Sequence, residues 1–142
     1  MRVSGCESNL KKIKLQSSKH KMKNYRDLEI YQMAYDYALE VHEMSMKLPN
    51  YELYEQGSQV RRSSKSIKAN IAEGYGRRRY KNEFIRFLIF AHASCDETIS
   101  QLHMISDIHF PDHPLNNLPK KYDKLGRKIN RFIQYAEKNW QT

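Results

Sequence analysis

The repeating pattern of apolar residues constrains this chain most strongly, because it predicts long helices and little else. Apolar side chains recur at steps of three and four residues in four separate stretches, the spacing that places them on one face of an α-helix. Alternation of apolar and polar residues, the pattern of a half-buried strand, is rare, and the 142 residues include only 5 Gly and 4 Pro. We therefore predict an all-α protein.

The breaks between these stretches predict where the helices begin and end. The predicted helices cover residues 27–48, 54–73, 82–108 and 118–140. Asp27 is a good N-cap for the first helix, and Pro49 cannot continue it. Long helices joined by short loops are typical of an antiparallel up-down-up-down four-helix bundle, which we predict for residues 22–142.

The first 21 residues differ in composition from the rest of the chain. They are rich in Lys and Ser and contain no helical stripe, so they bury too little apolar surface to offset the loss of chain entropy. We predict a disordered basic prefix over residues 1–21. One interpretation makes it a basic arm that adds affinity for a polyanion. The other places the true start of translation at Met22.

The net charge of +9 is distributed in alternating segments. Residues 61–81 contain eight Lys or Arg against one Glu, and residues 116–139 contain seven against two acids. Residues 27–48 and 82–107 are acidic overall. Antiparallel neighbours would set the acidic first and third helices against the basic second and fourth helices, so a bundle alone explains part of the charge.

Several classes of protein are disfavoured by the composition. No apolar run reaches the ~18 residues that a membrane-spanning helix requires, and the N-terminus lacks the apolar segment of a secretory signal. Cys6 and Cys95 fit neither a metal site nor a disulfide framework, which favours a cytoplasmic protein. We expect no membrane association, no metal and no cofactor.

The segment NIAEGYGRRRYKNEF, residues 70–84, joins the second and third predicted helices. Gly74 is expected to end the second helix in the left-handed conformation, and Gly76 is a second permissive position. This turn explains both glycines but not the three arginines at residues 77–79, because like charges in succession repel each other. Their natural partner is an anion, either an acidic face of the bundle or a phosphate backbone.

A row of cations on the second helix leads toward this turn. Arg61, Lys65 and Lys68 fall at i, i+4 and i+7 and therefore line one helix face. Arginine binds phosphate in a planar, bidentate manner, and tyrosine among cations stacks on unpaired bases. The predicted nucleic-acid-binding residues are Arg61, Arg62, Lys65, Lys68, Tyr75, Arg77, Arg78, Arg79, Tyr80 and Lys81. A solvated helix face and a surface for an acidic protein are the alternative interpretations.

The same region resembles a known family. The sequence SIxxNIAEGYGR, residues 66–77, followed by EFIRFL, residues 83–88, is similar to the four-helix-bundle proteins encoded in 23S rRNA intervening sequences. That family includes relatives of the accessory variability protein of diversity-generating retroelements. The resemblance extends from about Tyr25 to Phe110, and more loosely through the last helix. The positions that match its motif are Asn70, Glu73, Gly74, Gly76 and Arg77.

The resemblance implies a bacterial helical bundle with a basic surface, often a homopentamer. In the retroelement relatives the bundle binds a reverse transcriptase and nucleic acid. The wide apolar stripe of the third helix indicates contact with several helices or with another subunit. Such proteins commonly carry Ser or Thr at the position of Tyr80, which would form a capping box with Glu83. Here we expect the cap to pass to Asn82.

We predict a non-enzymatic, oligomeric accessory protein that binds RNA or DNA through the second helix and the GYGRRR turn. The alternative is a scaffold for a reverse transcriptase or a ribosome-associated partner, without direct nucleic-acid contact. Catalysis is disfavoured. His92 with Asp96 and His103 with Asp107 have the spacing of exposed helical hydrogen-bonded pairs, and Cys95 lacks the further ligands of a tetrahedral metal site.

Overall fold

Four long helices form most of the computed structural model, which describes residues 23–141. The helices are α1 (Glu29–Ser45), α2 (Gln56–Gly76), α3 (Lys81–His109) and α4 (Leu118–Asn139). One-turn elements at Tyr25–Asp27, Asn50–Leu53 and Leu115–Asn117 precede α1, α2 and α4. No strand occurs in this part of the chain, so the all-α prediction is confirmed for it. The predicted prefix, residues 1–21, lies outside the described residues.

The entry into α1 differs from the prediction. Asp27 is not the N-cap of α1, because it closes a preceding 3-10 turn that Asn24 caps. The Asn24 Oδ1 atom accepts a hydrogen bond from the Arg26 amide at 2.8 Å. Leu28 then adopts an extended conformation with its side chain buried, and α1 begins at Glu29. A buried leucine at this position therefore anchors the helix start instead of a capping side chain.

Gly74 lies inside α2, so the prediction that it ends the helix in the left-handed conformation is wrong. No glycine of residues 23–141 has a positive φ. Gly74 is buried where α2 meets α3, and a Cβ atom there would lie only 2.8 Å from the Cβ of Phe87. Gly76 is the last residue of α2 and has open space around it. Close helix approach, and not backbone conformation, explains Gly74.

The start of α3 also corrects the prediction about its cap. Tyr80 occupies the N-cap position in an extended conformation, and no side chain caps the helix. Asn82 lies one residue inside the helix and does not serve as the cap. The predicted bounds of α3 and α4 are nevertheless confirmed to within one residue.

The core is one continuous cluster of side chains from all four helices. Its fully buried members include Ile67 of α2, Phe84 and Leu88 of α3, and Tyr122 of α4. Burial of each large apolar side chain contributes roughly 1.5–3 kcal/mol to the free energy of folding. This core fixes the helix surfaces on which the exposed cations lie.

Ion pairs join α1 to α4. The Nζ atom of Lys128 lies 2.6 Å from Glu29 Oε1, and that of Lys121 lies 2.8 Å from Glu40 Oε1. Glu29 begins α1 and contacts the later lysine, whereas Glu40 contacts the earlier one. The predicted pairing of the acidic first helix with the basic fourth helix is confirmed.

None of the helices within residues 23–141 is long and apolar enough to cross a membrane.

Candidate nucleic-acid interface

The turn between α2 and α3 consists of residues 77–80, and all four side chains are exposed. The Arg77 amide donates to the Glu73 carbonyl at 3.2 Å, and the Tyr80 amide donates to the Arg77 carbonyl at 2.9 Å. The turn therefore begins directly after the last hydrogen bonds of α2. Cations at a helix C-terminus are stabilised by the partial negative charge of these carbonyls.

The three arginines of the turn are held in different ways. Arg77 Nη2 lies 3.5 Å from Glu73 Oε1, in an ion pair whose side chains are both about half exposed. The Arg78 guanidinium stacks 4.1 Å from the Tyr75 ring centroid and donates to the Tyr75 carbonyl at 2.9 Å. Arg78 and Arg79 form no ion pair with any other residue of the range 23–141. Their charges are left for solvent or for a ligand.

The C-terminal end of α4 contacts the turn and the start of α3. Trp140 Nε1 donates to the Arg78 carbonyl at 3.2 Å, and its ring packs 4.8 Å from the Phe84 ring. Lys81 Nζ donates to the Glu137 carbonyl at 2.7 Å. Lys81, predicted as a ligand-binding cation, thus also joins two helices. These contacts place the arginine turn beside the end of α4.

The two tyrosines predicted to stack on bases have different environments. Tyr75 is only 5% exposed, and its ring packs edge-on against Phe84 with 6.2 Å between centroids. Tyr80 is 64% exposed. The Arg79 guanidinium lies 6.0 Å from the centroid of the Tyr80 ring. Of the two rings, only that of Tyr80 is exposed, so Tyr75 supports the turn instead of lining its surface.

Arg61 departs from the predicted row because it points into the protein. Its Nη1 atom donates to Ser45 Oγ at 2.9 Å, and its Nη2 atom donates to the Leu53 carbonyl at 2.6 Å. Arg61 therefore fastens α2 to the end of α1 and to the one-turn helix Asn50–Leu53. A guanidinium committed to two internal acceptors is a structural group.

The remaining α2 cations are more accessible. Arg62 and Lys65 are exposed, whereas Lys68 is half-buried with its Nζ atom 6.0 Å from the Tyr35 ring. The motif residue Asn70 donates from Nδ2 to the Ser66 carbonyl within α2 at 2.9 Å. The exposed part of the predicted α2 surface is therefore Arg62 and Lys65.

The side chains considered for catalysis lie apart from this surface. His92 Nδ1 is 3.6 Å from Asp96 Oδ2 on the exposed side of α3. Burial raises the pKa of the Cys95 thiol to about 12, with the nearby charge of Asp96 adding to the effect. Cys95 Sγ donates to the Tyr122 carbonyl at 3.2 Å. Residues 23–141 contain no group of three or more side chains arranged to hold a metal ion.

One buried polar pair was not predicted from the sequence. His109 Nε2 lies 2.8 Å from Glu52 Oε2, and both side chains are less than a tenth exposed. The pair joins the end of α3 to the one-turn helix Asn50–Leu53. No short-range pattern could reveal it, because the two residues are far apart in the sequence.

An all-helical bundle with an exposed arginine turn at one end defines a class of small basic bundle proteins. The model of one family, the 23S rRNA-intervening sequence protein, matches residues 26–131. Since this match covers most of the chain, the protein belongs to that family, as the sequence motif predicts. Comparison with curated proteins gives no significant match. The relation to the retroelement accessory protein stays a prediction.

Proposed function

We propose that this protein is a non-enzymatic accessory protein that binds RNA or DNA through the turn at residues 77–80 and the exposed α2 cations Arg62 and Lys65. The observation that carries the proposal is the exposure of Arg78 and Arg79 without a carboxylate partner within residues 23–141. The family description, which refers to ribosomal RNA, supports RNA as the first ligand to test. In this proposal the protein acts in the cytoplasm, where ribosomes are found.

The physical argument concerns uncompensated charge. Three guanidinium groups in succession repel one another and attract anions. When they neutralise phosphates, the cations condensed on the nucleic acid are released, and this release favours binding. Arg77 keeps this capacity despite its contact with Glu73, because an exposed ion pair contributes only about 0–1 kcal/mol. Arg62 and Lys65 are two further exposed cations on α2, at least ~18 Å before Arg77 along the helix. Tyr80 offers a ring for an unpaired base.

We further propose that the four helices run up, down, up and down, so that the turn lies at one end of the bundle. Four contacts support this arrangement. Ser63 early in α2 donates to Gln101 late in α3 at 2.9 Å. Lys81 at the start of α3 contacts Glu137 at the end of α4. In the α1–α4 ion pairs, the earlier glutamate of α1 contacts the later lysine of α4, as antiparallel helices require.

A homo-oligomer, with the pentamer implied by the family resemblance, is part of the same proposal. The exposed side of α3 carries Ile89, Phe90, Met104 and Ile108, which are 40–55% exposed. A second copy of the chain would remove this apolar surface from water. Sedimentation of the full chain at several concentrations tests the oligomer, and Ile89→Asp is expected to weaken it.

The same α3 surface favours a second candidate function, a scaffold for a reverse transcriptase or a ribosome-associated protein without direct nucleic-acid contact. The two functions differ in which substitutions are expected to abolish binding. A scaffold would lose its partner with Ile89→Asp and keep it when the turn arginines become alanine. A nucleic-acid-binding protein would lose its ligand when the turn arginines become alanine, and Ile89→Asp would affect binding only through the weakened oligomer.

The proposed function is tested by fluorescence anisotropy of the full chain with a structured RNA, a single strand and a DNA duplex. Affinity is expected to fall by on the order of a thousandfold between about 50 and 200 mM salt if six or more phosphates are contacted. Alanine at Arg77, Arg78 and Arg79 is expected to weaken binding and flatten this dependence. Lack of binding to all three ligands at low salt would refute the proposal.

A matched control separates the turn from net charge alone. Alanine at Lys23, Arg26 and Lys47 removes the same number of exposed cations from other parts of the surface. This variant is expected to bind almost as tightly as the unaltered protein. Equal weakening by the control and by the turn variant would mean that the turn has no special role.

A further inference from the structure

A second basic surface lies on α4, outside every residue discussed as a ligand so far. The helix carries seven Lys or Arg, of which Lys121 and Lys128 pair with acids of α1. The other five are exposed and make no ion pair or side-chain hydrogen bond within residues 23–141. These five cations, which we call the α4 row, are Lys120, Lys124, Arg127, Arg131 and Lys138.

The spacing of the α4 row places all five cations on one face of the helix. With steps of four, three, four and seven residues, the five side chains leave the helix axis in nearly the same direction. At ~1.5 Å of rise per residue, the row spans ~27 Å along the protein surface. Tyr135, which is 52% exposed, lies beside it. The acids of α4, Asp123 and Glu137, fall on its flank by the same geometry.

The α4 row leads into the arginine turn. Its last member, Lys138, directly follows Glu137, whose carbonyl accepts the hydrogen bond from Lys81. Two residues further on, Trp140 donates to the carbonyl of Arg78. The row and the turn therefore meet at the end of α4. Together they contribute eight cations, five from the helix and three from the turn.

We propose, on the basis of the function proposed above, that the α4 row is the track that holds the sugar–phosphate backbone of a single RNA strand, with the arginine turn at its end. A line of cations on a straight helix matches a linear polyanion through charge alone. Lysine and arginine without internal partners exchange solvent counterions for phosphates at little structural cost. The contact is to the backbone, so binding along the track is independent of base sequence.

The apolar face of α4 explains why this row is available. Tyr122, Leu125, Ile129 and Ile133 bury the opposite side of the helix in the core. Lys121 and Lys128 lie between the two faces and use their charges on α1. The α4 row is the part of the helix that neither the core nor the ion pairs occupy. Its accumulation of like charge costs folding stability, which an anionic ligand would restore.

The test uses the full chain and a labelled single-stranded RNA long enough to span the track. Arg127→Glu with Arg131→Glu reverses the centre of the row, and Lys23→Glu with Lys47→Glu is a control with the same change in net charge. The row variant is expected to lose at least about tenfold in affinity, and its salt slope is expected to fall by about 1.4, the share of two phosphates on a single strand. The control is expected to lose less than about threefold.

Each outcome bears on two proposals, the α4 track and the proposed function. If the row variant binds RNA as tightly as the control, while alanine at the turn arginines weakens binding, the α4 track is refuted and the proposed function stands. If the unaltered chain binds no RNA at low salt, both are refuted. Equal affinity for labelled poly-glutamate would also refute the track, because the surface would then recognise acidic polypeptide. Should the row variant fail to fold by circular dichroism, Arg127→Gln with Arg131→Gln gives the same comparison with the charges neutralised, and Lys23→Gln with Lys47→Gln is then its control.

Discussion

Gly74 of α2 lies so close to Phe87 of α3 that a single added methyl group would approach the Phe87 Cβ to 2.8 Å. We therefore expect Gly74→Ala to force the two helices apart and to lower the free energy of unfolding by about 1–3 kcal/mol. Gly76→Ala, two residues away in open space, is expected to raise it by up to about 1 kcal/mol through helix propensity. Urea unfolding of both variants checks this pair. Equal effects would contradict the close contact.

Arg61 and Arg62 are neighbours with opposite roles. Arg61→Ala removes two hydrogen bonds from a charged donor and leaves Ser45 and the Leu53 carbonyl without their partner, so a loss of about 2 kcal/mol in stability is expected. Arg62→Ala is expected to change stability by less than about 0.5 kcal/mol. Thermal unfolding measures both. If Arg62→Ala proves the more destabilising change, the assignment of Arg61 as a structural group is wrong.

The buried thiol of Cys95 predicts a dependence of stability on alkaline pH. Because burial raises its pKa from 9.0 to about 12, the folded state keeps the proton that the unfolded state loses above pH 9.0. The contribution of this thiol to the free energy of unfolding is fully present below pH 9.0. It falls by about 1.4 kcal/mol per pH unit between the two pKa values. Urea unfolding at pH 7 and about pH 10 should show a stability difference between the unaltered chain and Cys95→Ala that changes by about 1.4 kcal/mol. A difference that stays constant with pH would contradict the burial.

The His109–Glu52 pair predicts a stability effect far from the basic surfaces. His109→Ala leaves the Glu52 carboxylate buried without its partner, which is expected to cost about 1–3 kcal/mol. His103→Ala, on the exposed side of α3, is expected to cost less than about 0.5 kcal/mol. Chemical unfolding near neutral pH compares them. RNA affinity of the folded His109 variant should stay unchanged, and a large loss would connect this pair to the binding surface.

The sequence predicts the long helices well because each depends on local spacing. The bounds of α3 and α4 follow from apolar periodicity and from the prolines between them. The role of Gly74 could not be predicted, since a glycine that ends a helix and a glycine that admits a neighbouring helix look the same in one sequence. The capping of the first turn by Asn24 in place of Asp27 was missed because both residues are good caps.

The candidate site was predicted in part for a similar reason. Clustering of arginines predicts a binding site at the turn, and the turn side chains are exposed. The inward direction of Arg61 depends on where Ser45 and Leu53 lie in space, which no local pattern contains. The α4 row could have been found from its spacing alone. What the sequence does not give is which of the seven α4 cations are already paired with α1.

The salt dependence of RNA binding tests the central claim most directly. The logarithm of the dissociation constant of the full chain for single-stranded RNA would be measured against the logarithm of salt concentration. With the three turn arginines and the five cations of the α4 row in contact with phosphates, the slope of affinity is expected to be about −5 to −6, and alanine at the turn should reduce its magnitude by about 2. A slope near zero, or the same slope in the turn variant, would contradict a phosphate-binding role for this surface.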